Sequence, residues 1–214
     1  MQEATSREKM LKAIRKALVN KTDVKQPQID WEQSVYKKEN GSLEETFATA
    51  FTKIGGRFIY CENNIEFFEN LIAQAQQYQW KKVYCFDPAL QQLLNQIEFP
   101  FLSYEDQTFE DEITGITSCE ALVARLGSVL VSSKSGSGRK LNVVPTVHVI
   151  VAYTSQLVAD LQQGFELIKS KYGDKVPSMI SNLAGPSRTA DIEKTLVSPA
   201  HGPRDIYVFL IDNH

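Results

Sequence analysis

Apolar residues recur at helical spacing near the start of the chain, at Met10, Leu11, Ile14 and Leu18. Thr5 with Glu8 forms a capping box ahead of them, and Lys9, Lys12, Arg15 and Lys16 make the opposite, solvated face. From Lys21 to Gly41 the pattern breaks around Pro27, an irregular connection that Trp31 and Tyr36 are expected to pin to the body. From Ser42 onward helix and strand periods alternate. Ser42 and Glu45 cap a helix carrying Phe47, Ala50, Phe51 and Ile54, and Gly55-Gly56 ends it. Residues 57–61 read as a strand, 64–79 as a helix and 83–86 as a second strand; Asp87-Pro88 then supplies an N-cap and a first-turn proline. The apolar, β-branched runs 129–132, 147–152 and 206–211 suit buried strands, and 155–172 reads as one long helix closed by Gly173.

This alternation predicts an α/β fold with a mostly parallel sheet flanked by helices. The expected division is an N-terminal helix and connection over 1–41 and a single α/β domain over 42–214. Ligands on such sheets sit beyond the carboxyl ends of the strands, which directs attention to the loops.

Composition narrows the classes. A hydrophobic fraction of 43% and a charged fraction of 23% are those of a soluble globular protein. No apolar run approaches the roughly 20 residues of a membrane span, and the charged N-terminus lacks a secretory core, so a cytoplasmic location is expected. The net charge of −3 gives no electrostatic case for nucleic-acid binding. Cys61, Cys85 and Cys119 lie far apart, a spacing that suits no zinc site, no disulfide framework and no self-contained iron–sulfur site. They read as small core hydrophobes, with a reactive thiol as the minor alternative.

Three loops carry candidate chemistry. After the strand at 129–132 comes a run of Ser, Lys and Gly: Gly136 and Gly138 relax the backbone, Ser137 offers a hydroxyl, and Lys134, Arg139 and Lys140 bring positive charge. Consecutive amides in such a turn can cradle an anion; a solvated turn has the same composition. Next, a strand near 179–181 leads through Gly185 to Ser187, Arg188 and Thr189, read as the start of a helix with Asp191 and Glu193 in its first turns. Its free amides would hold an anion beside Arg188, or Ser187 and Thr189 simply cap. Finally His201, Gly202 and Arg204 stand before the last strand; His201 is the candidate proton-transfer group and Arg204 a candidate anion clamp, against the alternative of a rigid turn at Pro203. His148, inside a strand, reads as a core residue. Five cations (Lys134, Arg139, Lys140, Arg188, Arg204) in an acidic chain suggest convergence on one anion-binding cleft.

From about Thr117 onward, the stretches ALVARLGSVLVSS, GRKLNVVPTVHVIVA and GPSRTADIEKTLVSPAHGPRDIYVFLI resemble the lactate-utilisation protein C, or YkgG, family of LUD-domain proteins. The resemblance implies the fold type shared by 5-formyltetrahydrofolate cyclo-ligases, ribose-5-phosphate isomerases and CoA transferases. It also implies one component of a bacterial system that oxidises L-lactate, or a related 2-hydroxy acid, to pyruvate, with redox centres mainly on iron–sulfur partner subunits; the cofactor stays unknown, and none held by this chain alone is evident from the sequence. Gly136, Gly138, Arg139, His148, Gly185, Ser187, Thr189, Asp191, Glu193, His201 and Gly202 match motif positions. Arg125 and Leu126 stand where the family commonly has an acid and a threonine, which alters any ligand contact made there. Two other roles stay open: a stand-alone enzyme of phosphorylated or folate-like molecules, and a non-catalytic assembly subunit of an iron–sulfur oxidoreductase.

Overall fold

The computed structural model describes residues 5–19, 41–103, 112–190, 196–197 and 202–213. The chain divides into two units, Met1–Lys38 and Glu39–His214. The first contributes α1 (Ser6–Val19), which buries none of its residues; Thr5 N–H and Glu8 N–H exchange side-chain bonds at its start, the expected capping box. In the second, α2 (Leu43–Lys53) leads to β1 (Arg57–Cys61), α3 (Asn64–Gln77), β2 (Val83–Cys85), α4 (Pro88–Asn95), β3 (Thr114–Ser118), β4 (Ala121–Val123) and β5 (Ser128–Ser132). The chain continues through β6 (Val147–Tyr153), β7 (Leu157–Val158), α5 (Leu161–Tyr172), β8 (Ile180–Leu183), β9 (Thr189–Ala190), β10 (Leu196–Val197) and β11 (Asp205–Ile211).

Five strands form a wholly parallel sheet in the order β1-β11-β6-β3-β2. The central β6 and β11 have near-continuous buried runs, as a sheet covered on both faces requires. One face packs Val149, Val151, Tyr207 and Phe209 against Phe67 and Leu71 of α3 and Leu90 and Leu94 of α4. The other packs Ile150, Ala152, Val208 and Leu210 against Phe47 and Phe51 of α2 and against Leu122, Val129 and Val131 of a second sheet. That second sheet, β7-β4-β5-β8, is mixed, and its outer face meets Ile168 of α5. The successive layers are therefore helices, parallel sheet, mixed sheet with α2, and α5.

Two expectations are corrected. The long helix begins at Leu161, because Leu157 and Val158 pair with Leu122 and Val123 and Asp160 caps α5 by accepting from Gln163 N–H at 3.1 Å. Thr189 and Ala190 do not start a helix. They pair antiparallel with Val197 and Leu196, so the helix amides expected to hold an anion there are absent at 189–190. Trp31 and Tyr36 lie outside the described residues. The three cysteines are buried and free; burial pushes their thiols up, to about 11 for Cys61 and about 12 for Cys85 and Cys119.

Candidate functional site

At the carboxyl edge of the parallel sheet, β2 ends before Asp87, β3 ends at Ser118 and β6 at Tyr153. Asp87 caps α4, its Oδ1 accepting from Ala89 N–H at 3.0 Å, while Ser118 Oγ donates to its Oδ2 at 2.6 Å. The loop after β5 is docked on this edge by two grips from the end of β3. Ser118 N–H donates to Ser137 Oγ at 3.2 Å, and Ser132 Oγ donates to Glu120 at 2.5 Å. Gly136 lies so close to Asp87 that a Cβ there would sit 2.9 Å from the carboxyl carbon. Tyr153 is nearby: burial first, and the Asp87 charge second, raise its hydroxyl above the ordinary tyrosine range.

The loop is held by its own polar groups as well. Lys134 N–H donates to Ser132 Oγ at 3.1 Å and Ser135 Oγ to Ser132 O at 3.0 Å; Asn142 Nδ2 donates to Gly138 O at 2.8 Å. Gly138 takes the left-handed conformation, φ +70°, which glycine adopts without strain. Among the described residues, the N–H groups of Gly136 and Ser137 make no hydrogen bond. Gly136 is exposed at the edge where α/β sheets bind ligands, whereas Ser137 is fully buried.

Glu120 anchors the base of the loop. Its buried carboxylate accepts from Lys171 Nζ and Tyr172 Oη, each at 2.8 Å, besides Ser132. Burial alone would raise its pKa, but the bonds from Lys171, Ser132 and Tyr172 outweigh it and hold the group below the ordinary glutamate range. Lys134 bonds the carbonyl of Lys175 and lies 5.0 Å from the centre of the Tyr172 ring, and Arg139 donates to Ser178 Oγ at 2.6 Å.

The other predicted residues gather elsewhere. β8 runs antiparallel to β5, so Gly185 follows the end of β8 that pairs near Ser128, while Arg139 meets Ser178 at the Ser132 end. Five strand residues separate those ends by about 13 Å. Gly185 packs against Ile54, and Arg188 lies over Gly55. Ser187 N–H donates to Pro203 O at 2.8 Å, and Gly202 faces Ser187. Arg204 pairs with Asp205 at 3.0 Å, at the amino end of β11. Convergence of the cations on one cleft is therefore corrected: Lys134 and Arg139 belong to the carboxyl edge, Arg188 and Arg204 to the amino edge. Asp191, Glu193 and His201 lie outside the described residues.

Arg125 and Leu126 line a separate cleft of about 730 Å³ with Thr46, Thr49, Lys53 and Ile54 of α2 and its flank. His148 is fully buried, with Nε2 2.8 Å from Thr117 Oγ1. Among the described residues no cluster of His, Cys, Asp and Glu is arranged to hold a metal, and no helix is long and apolar enough to cross a membrane. Asp87, Ser118 and Glu120 were missed as site residues. Asp87 comes two residues after β2, Ser118 ends β3 and Glu120 comes two residues after it; no strand was expected at 114–118, so the sequence carried no signal for the last two.

Residues 106–211 match the family model of the LUD domain. The chain belongs to the LUD-domain family. It is 36% identical to lactate utilization protein C of Bacillus licheniformis over 99 residues, 45% of this chain and 41% of that relative. The corresponding Bacillus subtilis protein is 34% identical over 106 residues, 48% of this chain and 44% of the relative. An uncharacterized protein of Neisseria meningitidis is 30% identical over 114 residues, 51% of this chain and 46% of the relative. The matched segment thus spans less than half of each of these relatives. A crystal structure of a DUF162 family protein from Deinococcus radiodurans superposes with a TM-score of 0.61 at 17% identity, covering 79% of this chain and 96% of that one. It shares the α/β fold.

Proposed function

We propose that this LUD-domain protein is a cytoplasmic component of a bacterial system oxidising L-lactate, or a related 2-hydroxy acid, to pyruvate. It binds a small anion at the Gly136–Arg139 loop and works with iron–sulfur partner subunits. The observation that carries this reading is the likeness of its C-terminal half to proteins named for lactate utilization. The loop supports it: the exposed, unbonded Gly136 amide at the carboxyl edge of a parallel sheet, with the exposed Arg139 at the end of the turn, suits a carboxylate or phosphate group.

Deleting the gene should slow growth on L-lactate and leave growth on glucose intact. With purified protein, phosphate and L-lactate at millimolar concentration should raise the melting temperature, and Arg139→Ala should reduce that rise. Normal growth on lactate would remove the physiological role; a melting temperature indifferent to every anion would remove the loop as a binding site.

A further inference from the structure

Thr46, Thr49, Ala50 and Lys53 recur at i, i+3, i+4 and i+7 along α2, which puts them on one face of the helix. Phe47 and Phe51 bury the neighbouring face in the core, and the stripe forms one wall of the cleft of about 730 Å³. The turn after β4 forms the opposite wall with Arg125 and Leu126. That turn comes close to α2 because Gly127 carries no side chain: a Cβ there would sit 2.3 Å from the Phe51 nitrogen and 2.4 Å from the Ala50 carbonyl carbon. Small-molecule sites occupy about 300–1,000 Å³, so the cleft is of suitable size. Lys53 and Leu126 are exposed and Arg125 is half-buried, so a ligand reaches all three.

Charge divides the cleft along its length. Glu45 stands at the start of α2, where its carboxylate accepts from Ser42 N–H at 3.4 Å. Lys53 is eight residues further on, about 12 Å along the helix axis, and the Arg125 turn meets α2 at Ala50 and Phe51, nearer the lysine. Arg188 lies over Gly55, just past the cleft. Among the described residues neither Lys53 nor Arg188 has an ion pair, so positive charge accumulates at this end of a chain whose net charge is −3. The last α2 carbonyls do not offset it, because Ala50, Phe51 and Thr52 accept from the N–H groups of Ile54, Gly56 and Gly55. We infer that this cleft binds a small organic anion whose carboxylate or phosphate meets Lys53 and Arg125 and whose apolar body rests on Ala50, Ile54 and Leu126. It is separate from the Gly136–Arg139 loop, which follows the other end of β5.

The test is calorimetric titration of the full chain with hexyl phosphate, hexanoate and hexanamide, the last having a matching chain without the charge. At least one of the two anions should bind, and whichever binds more tightly identifies the head group. Hexanamide should bind at least about tenfold more weakly than that anion, and Lys53→Glu should weaken the anion by a similar factor, the scale of one ion pair near a protein surface. Thr49→Trp, which fills the cleft from an exposed position, should block binding, whereas Arg139→Ala should leave it unchanged; melting curves establish that each variant is folded. Hexanamide binding as tightly as the anions, or no binding by either anion at millimolar concentration, overturns the inference. So does binding that survives Thr49→Trp or is indifferent to Lys53→Glu. A loss confined to Arg139→Ala assigns the anion to the loop and overturns this site while leaving the loop standing.

Discussion

At the scale of the residue, burial decides protonation. His148 reads from sequence as a core residue, and its imidazole is enclosed, with one nitrogen on Thr117. Burial pushes its pKa down to about 3, so the folded protein holds it neutral while the unfolded chain takes up a proton near the ordinary value of about 6.5. The unfolded state then binds more protons between those values. The His148 contribution is fully present above pH 6.5 and is lost as pH falls toward 3, by up to about 1.4 kcal/mol per pH unit. Glu120, held below its usual range, adds a further loss only below pH 4.5 or so. Urea midpoints between pH 7.5 and 5 should therefore fall in the native protein and be nearly flat in His148→Gln; equal slopes would contradict this account. The catalytic residue anticipated in the sequence, His201, is outside the described residues, whereas Ser118 and Asp87 needed the fold to become visible. Asp87 reads locally as a helix cap, which it is, and nothing local indicates the serine that bonds it from 31 positions away.

At the scale of the element, capping and turn signals were legible where local chemistry settles the conformation. Ser42 with Glu45 caps α2, Asp87 caps α4, and β1 spans the expected residues. Long-range pairing overrode the pattern in two places: β7 joined β4 and shortened α5, and β9 paired with β10 where a helix was expected. Glycines distinguish conformational cost from steric cost. Gly127 has φ +57°, and a Cβ there would sit 2.3 Å from the Phe51 backbone nitrogen; Gly138, at φ +70°, has nothing within 4 Å. Gly138→Ala should cost about 1 kcal/mol for the left-handed conformation alone. Gly127→Ala adds a clash with the α2 backbone and should cost about 2–4 kcal/mol. Similar denaturation midpoints for the two variants would show that α2 yields easily.

At the scale of the whole molecule, burial in the described residues is concentrated on the two faces of the parallel sheet and on the mixed sheet beside it, while α1 buries nothing. Residues 42–214 are accordingly proposed as the folding unit. Removing 1–41 should shift the melting temperature by about 4 °C or less, the effect of roughly 1 kcal/mol; a collapse of the cooperative transition would show that the N-terminal segment is integral. The sequence by itself determined the α/β class, the central strands, the helix caps and the likeness to LUD-domain proteins, because periodicity, capping and motif order are properties of neighbouring residues. Only the tertiary structure decided which loops share an edge. It separated Arg139 from Arg188 by the length of a strand, and it brought Asp87, Ser118 and Ser137 together. Strand order and register govern those distances, and they follow from which faces bury together rather than from any local run of residues.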